Sequence, residues 1–184
     1  MTMLDGTVAK QFEEIVGANH ALQGHELTAT YITDWTGRFR GHSPMVLRPA
    51  DTSQVSELVK VAARTGVKIV PQGGNTGLVG GSVPLHGEVV ISTLRMDHCE
   101  PVDALAQQVT VGAGVTLGDA QSHVSPSNLD IGVDLAARDS CTIGGMIATN
   151  AGGINVVRYG SMRDQVLGVE AVLSDGSVIS HLEG

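Results

Sequence analysis

Residues 71–84 read PQGGNTGLVGGSVP, which places five glycines among fourteen residues and a proline at each end. The segment directly follows a short apolar run at residues 67–70 that is typical of a strand. Glycine loses more conformational entropy on folding than any other residue, so the cluster predicts backbone bent through positive φ or pressed against a bulky group. A phosphate-bearing cofactor held by backbone N–H groups fits this pattern, and a flexible linker is the alternative.

Two familiar phosphate-binding motifs are absent from the chain. A P-loop requires a Gly-Lys pair followed by Ser or Thr, and the sequence contains no Gly-Lys dipeptide. The nearest match to a dinucleotide fingerprint begins at Gly112 and carries Leu117 where the motif needs a small residue. Residues 108–117 are therefore interpreted as a strand, a tight turn and a helix that starts near Thr116.

A second segment of small residues, DLAARDSCTIGGMIATNAGG, occupies residues 134–153. Ser140 or Thr142 is suited to cap a short helix that runs through Gly144 and Ala148. Free N–H groups at the start of that helix are expected to face an anion. A tightly packed helix crossing is the alternative explanation for the small residues.

These two segments, together with RYGSMRDQVLGVEAVLSDGSV at residues 158–178, resemble the FAD-binding domain of the vanillyl-alcohol-oxidase-type (PCMH-type) flavoproteins. More narrowly, they are similar to the D-2-hydroxyacid dehydrogenases, which include D-lactate and D-2-hydroxyglutarate dehydrogenases and the FAD subunit of glycolate oxidase. The resemblance covers the chain from about Asp34 to its end. Ala136 and Asp139 stand where the family often has glycine.

The resemblance implies an α+β fold, a two-lobed PCMH-type FAD-binding domain, with FAD held between the lobes. It divides the chain into an N-terminal helix and lead-in segment at residues 1–41 and the FAD-binding domain at residues 42–184, truncated before a substrate domain. Some relatives attach FAD covalently through a histidine in the first glycine loop. Residues 73–76 include no histidine, so non-covalent FAD is expected.

The loop argument and the resemblance together imply a set of cofactor-binding residues, no metal site, and catalytic residues located in a later part of such proteins. The implied cofactor-binding residues are Pro71, Gln72, Gly73, Gly74, Asn75, Thr76, Gly77, Gly81, Ser82, Asp134, Ser140, Cys141, Thr142, Gly144, Gly145, Ala148, Thr149, Asn150, Gly152, Gly153 and Val172.

The activity implied by the resemblance is FAD-dependent oxidation of a D-2-hydroxy acid to the 2-oxo acid. Two alternatives stay open: the same fold in another flavin oxidase or reductase, and a non-catalytic nucleotide-binding module. The expected partners are a small 2-hydroxy acid, an electron acceptor and a second copy in a homodimer. Residues 1–184 alone are expected to bind FAD weakly or not at all and to be inactive.

The charge, hydropathy and cysteine content of the chain bear on its partners and its location. The formal net charge of −8 argues against nucleic acid, whose phosphates are bound by clustered Lys and Arg. No apolar run approaches the roughly 20 residues that span a bilayer. Cys99 and Cys141 are far apart, which favours reduced thiols. These observations, with no secretory signal in view, lead to the expectation of a cytoplasmic protein.

Hydrophobic periodicity and capping residues predict the local structure. Trp35 is expected to be packed rather than catalytic. The predicted helices are 7–18, 51–65 ending at Gly66, and 116–124, and the predicted strands are 45–48, 67–70, 88–92, 108–111 and a hairpin of 166–173 with 177–180.

Overall fold

The computed structural model describes residues 4–182. Its main sheet has four strands, β1 Ala21–Leu22, β2 Val46–Leu47, β3 Ile69–Gln72 and β4 Val89–Ser92, in the order β1-β2-β4-β3. Strands β2 and β3 both run parallel to β4, whereas β1 pairs antiparallel with β2. The carboxyl ends of β2, β4 and β3 therefore share one edge of the sheet.

Six α-helices accompany the strands within residues 4–182. The longest is α3 (Thr52–Thr65), where the Asp51 carboxylate accepts a hydrogen bond from the Gln54 N–H and Gly66 ends the helix with a φ of +73°. The bounds are α1 Gly6–Val16, α2 His25–Thr28, α3 Thr52–Thr65, α4 Leu117–Val124, α5 Ile143–Thr149 and α6 Val156–Tyr159. None of these helices combines the length and apolar character needed to cross a membrane.

Two separate hydrophobic cores confirm the α+β, two-lobed architecture. The first core packs α1 and α3 against the four-stranded sheet, with Phe12, Leu47 and Leu58 fully buried. The second core surrounds α4 and α5 and includes Leu117 and Met146. Aliphatic side chains dominate both cores, as a sequence with 3% aromatic residues requires.

Glycines allow the two lobes to approach each other backbone to backbone. A Cβ at Gly114 would lie under 3.0 Å from the Thr93 carbonyl oxygen, and one at Gly112 would overlap the Met96 carbonyl in the same way. Thr93 and Met96 follow β4 in the first lobe, whereas Val115, next to Gly114, belongs to the second core. The Gly112 to Gly114 turn, which superficially resembles a dinucleotide motif, is thus a packing contact between lobes.

The predicted hairpin is present, with β5 at Val169–Val172 and β6 at Val178–His181 paired antiparallel. It lies against α3, because the buried Ser56 hydroxyl donates a 2.6 Å hydrogen bond to the Gly176 carbonyl. Gly176 sits in the turn with a φ of +84°, the left-handed region that favours glycine.

Two local expectations are wrong. Residues 108–111 form only isolated antiparallel bridges, from Gln108 to Asp103 and from Val111 to Cys99, rather than a regular strand. Trp35 is 79% exposed, because the turn that follows Asp34 directs Phe39 inward against Gly80 instead.

Candidate functional site

The first glycine loop leaves the edge strand β3 at the carboxyl edge of the sheet. Pro71 and Gln72 are the last two residues of β3, and proline is tolerated there because β3 is an edge strand. Gln72 is 2% exposed, and its Nε2 donates to the carbonyls of Tyr31 at 2.9 Å and Ser82 at 2.8 Å. Gln72 thus ties both ends of the loop to the lead-in segment.

Asn75 and Ser82 continue this internal bracing. Asn75 adopts a left-handed φ of +53°, and its Nδ2 donates to the Thr33 carbonyl at 2.8 Å. The Ser82 hydroxyl donates to Asn75 Oδ1 at 2.8 Å. The side chains of Gln72, Asn75 and Ser82, all implied cofactor-binding residues, therefore hold the shape of the loop through bonds within the protein.

The lead-in segment is itself fixed by Asp34, which is 4% exposed. Its carboxylate accepts hydrogen bonds from the backbone N–H groups of Thr36 and Phe39 and from the Thr36 hydroxyl. Burial alone raises the pKa of Asp34, but these hydrogen bonds outweigh it, so the pKa lies below its ordinary value. Asp34 therefore stays ionised at neutral pH and keeps the neighbouring Thr33 carbonyl in place.

The backbone N–H groups of the loop are its available polar atoms. Within residues 4–182, none of the five consecutive N–H groups from Gly73 to Gly77 donates to a protein acceptor. A row of free amides in a turn is a concave site for an anion. The phosphate site that the glycine cluster predicts stays a prediction, and these free amides are the groups that would form it.

The glycines of the two segments differ in whether a side chain would have room at their positions. Cβ atoms at Gly73 and Gly74 would overlap Thr142 Oγ1 and the Ser140 carbonyl oxygen, respectively. By contrast, a Cβ at Gly77, Gly81 or Gly152 would meet nothing within 4 Å.

The missing side chain of Gly74, one of the implied cofactor-binding residues, therefore makes room for protein backbone rather than for a phosphate. What the two glycines at 73 and 74 achieve is direct contact between the first loop and the segment Ser140–Thr142. The open glycines leave room for an external group.

The second segment presents a different arrangement from the predicted one. Thr142 caps α5, and its hydroxyl accepts a hydrogen bond from the Gly145 N–H. The Ile143 and Gly144 N–H groups donate to the Val115 and Ala113 carbonyls. The expectation of free amides at the start of α5 is wrong, because packing against residues 113–115 consumes them.

Free amides in this segment occur instead beyond the end of α5, at Gly152 and Gly153, which donate to no protein acceptor within residues 4–182. Asn150 ends the helix with a left-handed φ of +50°. Arg163 braces this end of α5, because its Nε and Nη2 donate to the carbonyls of Ile147 and Ala148, at 3.3 and 3.1 Å. Ala148, Thr149 and Asn150 are exposed beside it.

Asp134 carries a polar atom without a protein partner. Its Oδ2 accepts from Arg138 Nη2 at 2.8 Å, whereas its Oδ1 is buried and has no hydrogen-bond partner. The Asp134 backbone lies against Gly153, and its carbonyl accepts from the Ile154 N–H at 3.0 Å. Asp134, Arg138 and Asn155 border a polar cavity of about 450 Å³. Oδ1 itself is shielded from solvent, so it is not open to this cavity.

Two other implied residues lie in packed surroundings. Cys141 is 6% exposed beside Met146, and burial raises the pKa of its thiol, so it behaves as a small core residue. Val172 on β5 packs against the first core. The structure therefore brings residues 73–74 close to residues 140–142, and residue 134 close to residue 153. Helix α5 connects residue 142 to the segment that contains residue 153.

The bracing groups outside the glycine segments carry no sequence signal of their own. Tyr31 and Thr33 contribute backbone carbonyls, which any residue could supply. Arg163 likewise braces the end of α5 through bonds to the backbone carbonyls of Ile147 and Ala148.

The curated relatives match over nearly the whole chain. A rice (Oryza sativa subsp. indica) protein named "Probable D-2-hydroxyglutarate dehydrogenase, mitochondrial" is 39% identical over 181 residues, which cover 98% of this chain and 32% of the rice protein. A Schizosaccharomyces pombe protein with D-lactate dehydrogenase in its name is 38% identical over 175 residues, covering 95% of this chain and 33% of the relative. The chain thus spans about a third of the length of these relatives.

The expectation of a cytoplasmic location is wrong, because both of these relatives are named as mitochondrial. Targeting is encoded in leader segments that are separate from the folded domain. The charge and cysteine content of a domain therefore say little about its compartment.

The fold has a close counterpart among solved structures. Alkyldihydroxyacetonephosphate synthase superposes with a TM-score of 0.86 at 18% identity, covering 97% of this chain and 34% of the synthase. The profile of the family described as "FAD binding domain" matches residues 43–181, which include both glycine segments and the hairpin. The chain therefore belongs to the FAD binding domain family, and its cofactor is FAD.

Proposed function

We propose that the chain is the FAD-binding part of a dehydrogenase that oxidises a D-2-hydroxy acid to the 2-oxo acid. The observation that carries the cofactor role is the row of five free amides from Gly73 to Gly77 in a loop braced on both sides. Because the protein has a net charge of −8, local amides rather than bulk charge must attract the FAD diphosphate.

Other polar groups and open positions of the two glycine segments support the same role in binding FAD. The open position at Gly77 lets the diphosphate approach the amides. Asp134 borders the polar cavity, and its partly exposed carboxylate is the group that would accept a hydrogen bond from a hydroxyl of the FAD ribose or ribityl chain. Gly152 and Gly153 offer two further N–H donors beside it. The described loop contains no histidine, so the flavin is held without a covalent bond.

The oxidative role comes from the relatives, whose names refer to D-2-hydroxyglutarate and D-lactate dehydrogenases. The isoalloxazine ring of FAD supplies the electron-accepting chemistry. The residues of this chain bind and orient the cofactor, while substrate-binding and catalytic groups belong to the additional length that the relatives possess. The electron acceptor and a homodimeric state stay predictions, and glycolate is a further candidate substrate.

Flavin binding can be tested by titrating the chain with FAD and following the quenching of flavin fluorescence. We expect weak binding, and acid precipitation should release all flavin into the supernatant. Gly77→Val should weaken binding at least tenfold, because a branched side chain would stand in front of the amides, while the unfolding midpoint stays nearly unchanged. Gly6→Val, also at an open position, is the matched control. Equal FAD affinity in both variants would contradict the loop assignment.

Turnover can be tested with D-lactate, D-2-hydroxyglutarate and glycolate in the presence of FAD and a redox dye. We expect no dye reduction by residues 1–184 alone, because the chain lacks two thirds of the length of its relatives. A chain extended to the relatives' length should reduce the dye with one of these acids. Steady dye reduction by the short chain would show that it is catalytically self-sufficient.

A further inference from the structure

Three basic residues lie together at the carboxyl edge of the main sheet, away from both glycine segments in the sequence. Arg48 directly follows β2, Arg95 lies three residues after β4, and His20 directly precedes the antiparallel strand β1. The Arg48 N–H donates to the His20 carbonyl at 2.9 Å, and Arg95 Nη1 donates to the Arg48 carbonyl at 2.5 Å. These bonds hold the three residues together as one cluster, called the basic cluster below.

Two polar atoms of the basic cluster are buried without a partner. Arg48 Nε and His20 Nδ1 are shielded from solvent, and neither has a hydrogen-bond partner. A buried donor without an acceptor costs about 1–3 kcal/mol, and more when the group is charged. The bond from Arg95 to the Arg48 carbonyl ties two strand ends together but does not satisfy either atom.

The basic cluster also lacks a counter-charge. Within residues 4–182, the ion pairs are Lys10–Glu14, Lys60–Glu57 and Arg138–Asp134, so neither Arg48 nor Arg95 contacts a carboxylate. Burial, together with the nearby positive charges of Arg95 and Arg48, lowers the pKa of His20. A protein with 19 acidic and 11 basic residues could readily have supplied a carboxylate here.

We propose that Arg48, Arg95 and His20 form a binding site for an oxyanion, a phosphate or a carboxylate group, distinct from the flavin loop. A planar guanidinium presents paired N–H donors that match these anions, and an imidazole N–H adds a further donor. The site shares the carboxyl edge of the sheet with the first glycine loop, on the far side of β4. Edges of this kind are where open α/β sheets bind their ligands.

The test is thermal unfolding of the chain with increasing inorganic phosphate, at an ionic strength held constant with sodium chloride. A phosphate concentration ten times the Kd should raise the midpoint by about 3–6 °C. Arg48→Gln should abolish the rise, since it removes donors without touching the backbone bonds of the cluster. Arg64→Gln, which removes the same charge from an exposed position on α3, is the matched control and should keep the rise.

Two further experiments distinguish the type of anion that binds and the two proposed binding sites. Replacing phosphate with D-2-hydroxyglutarate or acetate shows whether the site prefers a phosphate or a carboxylate group. Gly77→Val should keep the part of the phosphate effect that Arg48→Gln removes, so failure of the flavin loop and failure of the basic cluster are distinguishable. No midpoint rise in the unmodified chain, or an equal rise in Arg48→Gln and Arg64→Gln, would overturn the proposal.

Discussion

Gly74→Ala is expected to lower the midpoint of thermal unfolding by roughly 6–12 °C. The added Cβ would fall under 3.0 Å from the Ser140 carbonyl oxygen, a backbone atom that cannot rotate away. Overpacking of this kind costs about 3 kcal/mol at the upper end of its usual range. The first loop would have to separate from Ser140–Thr142, so the free amides would also lose their support.

The matched control is Gly77→Ala, three residues further along the same loop. A methyl group there meets nothing within 4 Å, and the φ of Gly77 is not positive, so the midpoint should change little. Differential scanning fluorimetry of both variants measures the two unfolding midpoints. Equal midpoints for the two variants would show that the loop does not rest on Ser140.

Gln72→Leu is expected to reduce the free energy of unfolding by about 2–5 kcal/mol, because it leaves the Tyr31 and Ser82 carbonyls without a donor. The variant Gln72→Glu should in addition make the free energy of unfolding depend on pH. A carboxylate at this buried position faces two carbonyl oxygens, so its pKa in the folded state should rise above the ordinary value near 4.3.

The sign of that pH dependence follows from proton binding. Between the unfolded and the folded pKa, the folded state holds more protons, so the stability of Gln72→Glu should fall as pH increases above about 4.3. Urea unfolding of both variants at several pH values provides the measurement. If the Glu variant followed the Leu variant at every pH, Gln72 would not be buried against the two carbonyls.

Features encoded by neighbouring residues were predicted accurately from the sequence. The start of α3 at Asp51 and its end at Gly66 depend on capping groups within a few residues, and the structure matches both. The same holds for Thr116, which caps α4, and for the turn at Gly176. Local chemistry fixes such boundaries wherever the chain happens to pack.

Features that depend on distant pairs were not predictable in this way. The contact between Gly74 and Ser140 joins residues 66 positions apart in the chain, and a glycine cluster alone does not say whether phosphate or backbone fills the space. The amides at the start of α5 are consumed by residues 113–115 for the same reason. Trp35 is exposed because Phe39 fills the space beside Gly80, a choice between two aromatic residues that the sequence leaves undecided.

The bonds from Gln72 and Asn75 to Tyr31 and Thr33 bear on where this unit can be cut or recombined. The family profile begins at residue 43, yet the carbonyls that hold the first loop lie ten or more residues before it. A hybrid protein joined at residue 43 would replace those carbonyls with unrelated backbone. The unit that can be exchanged between proteins therefore starts ahead of Tyr31. It must include the lead-in segment, because that segment braces the first glycine loop.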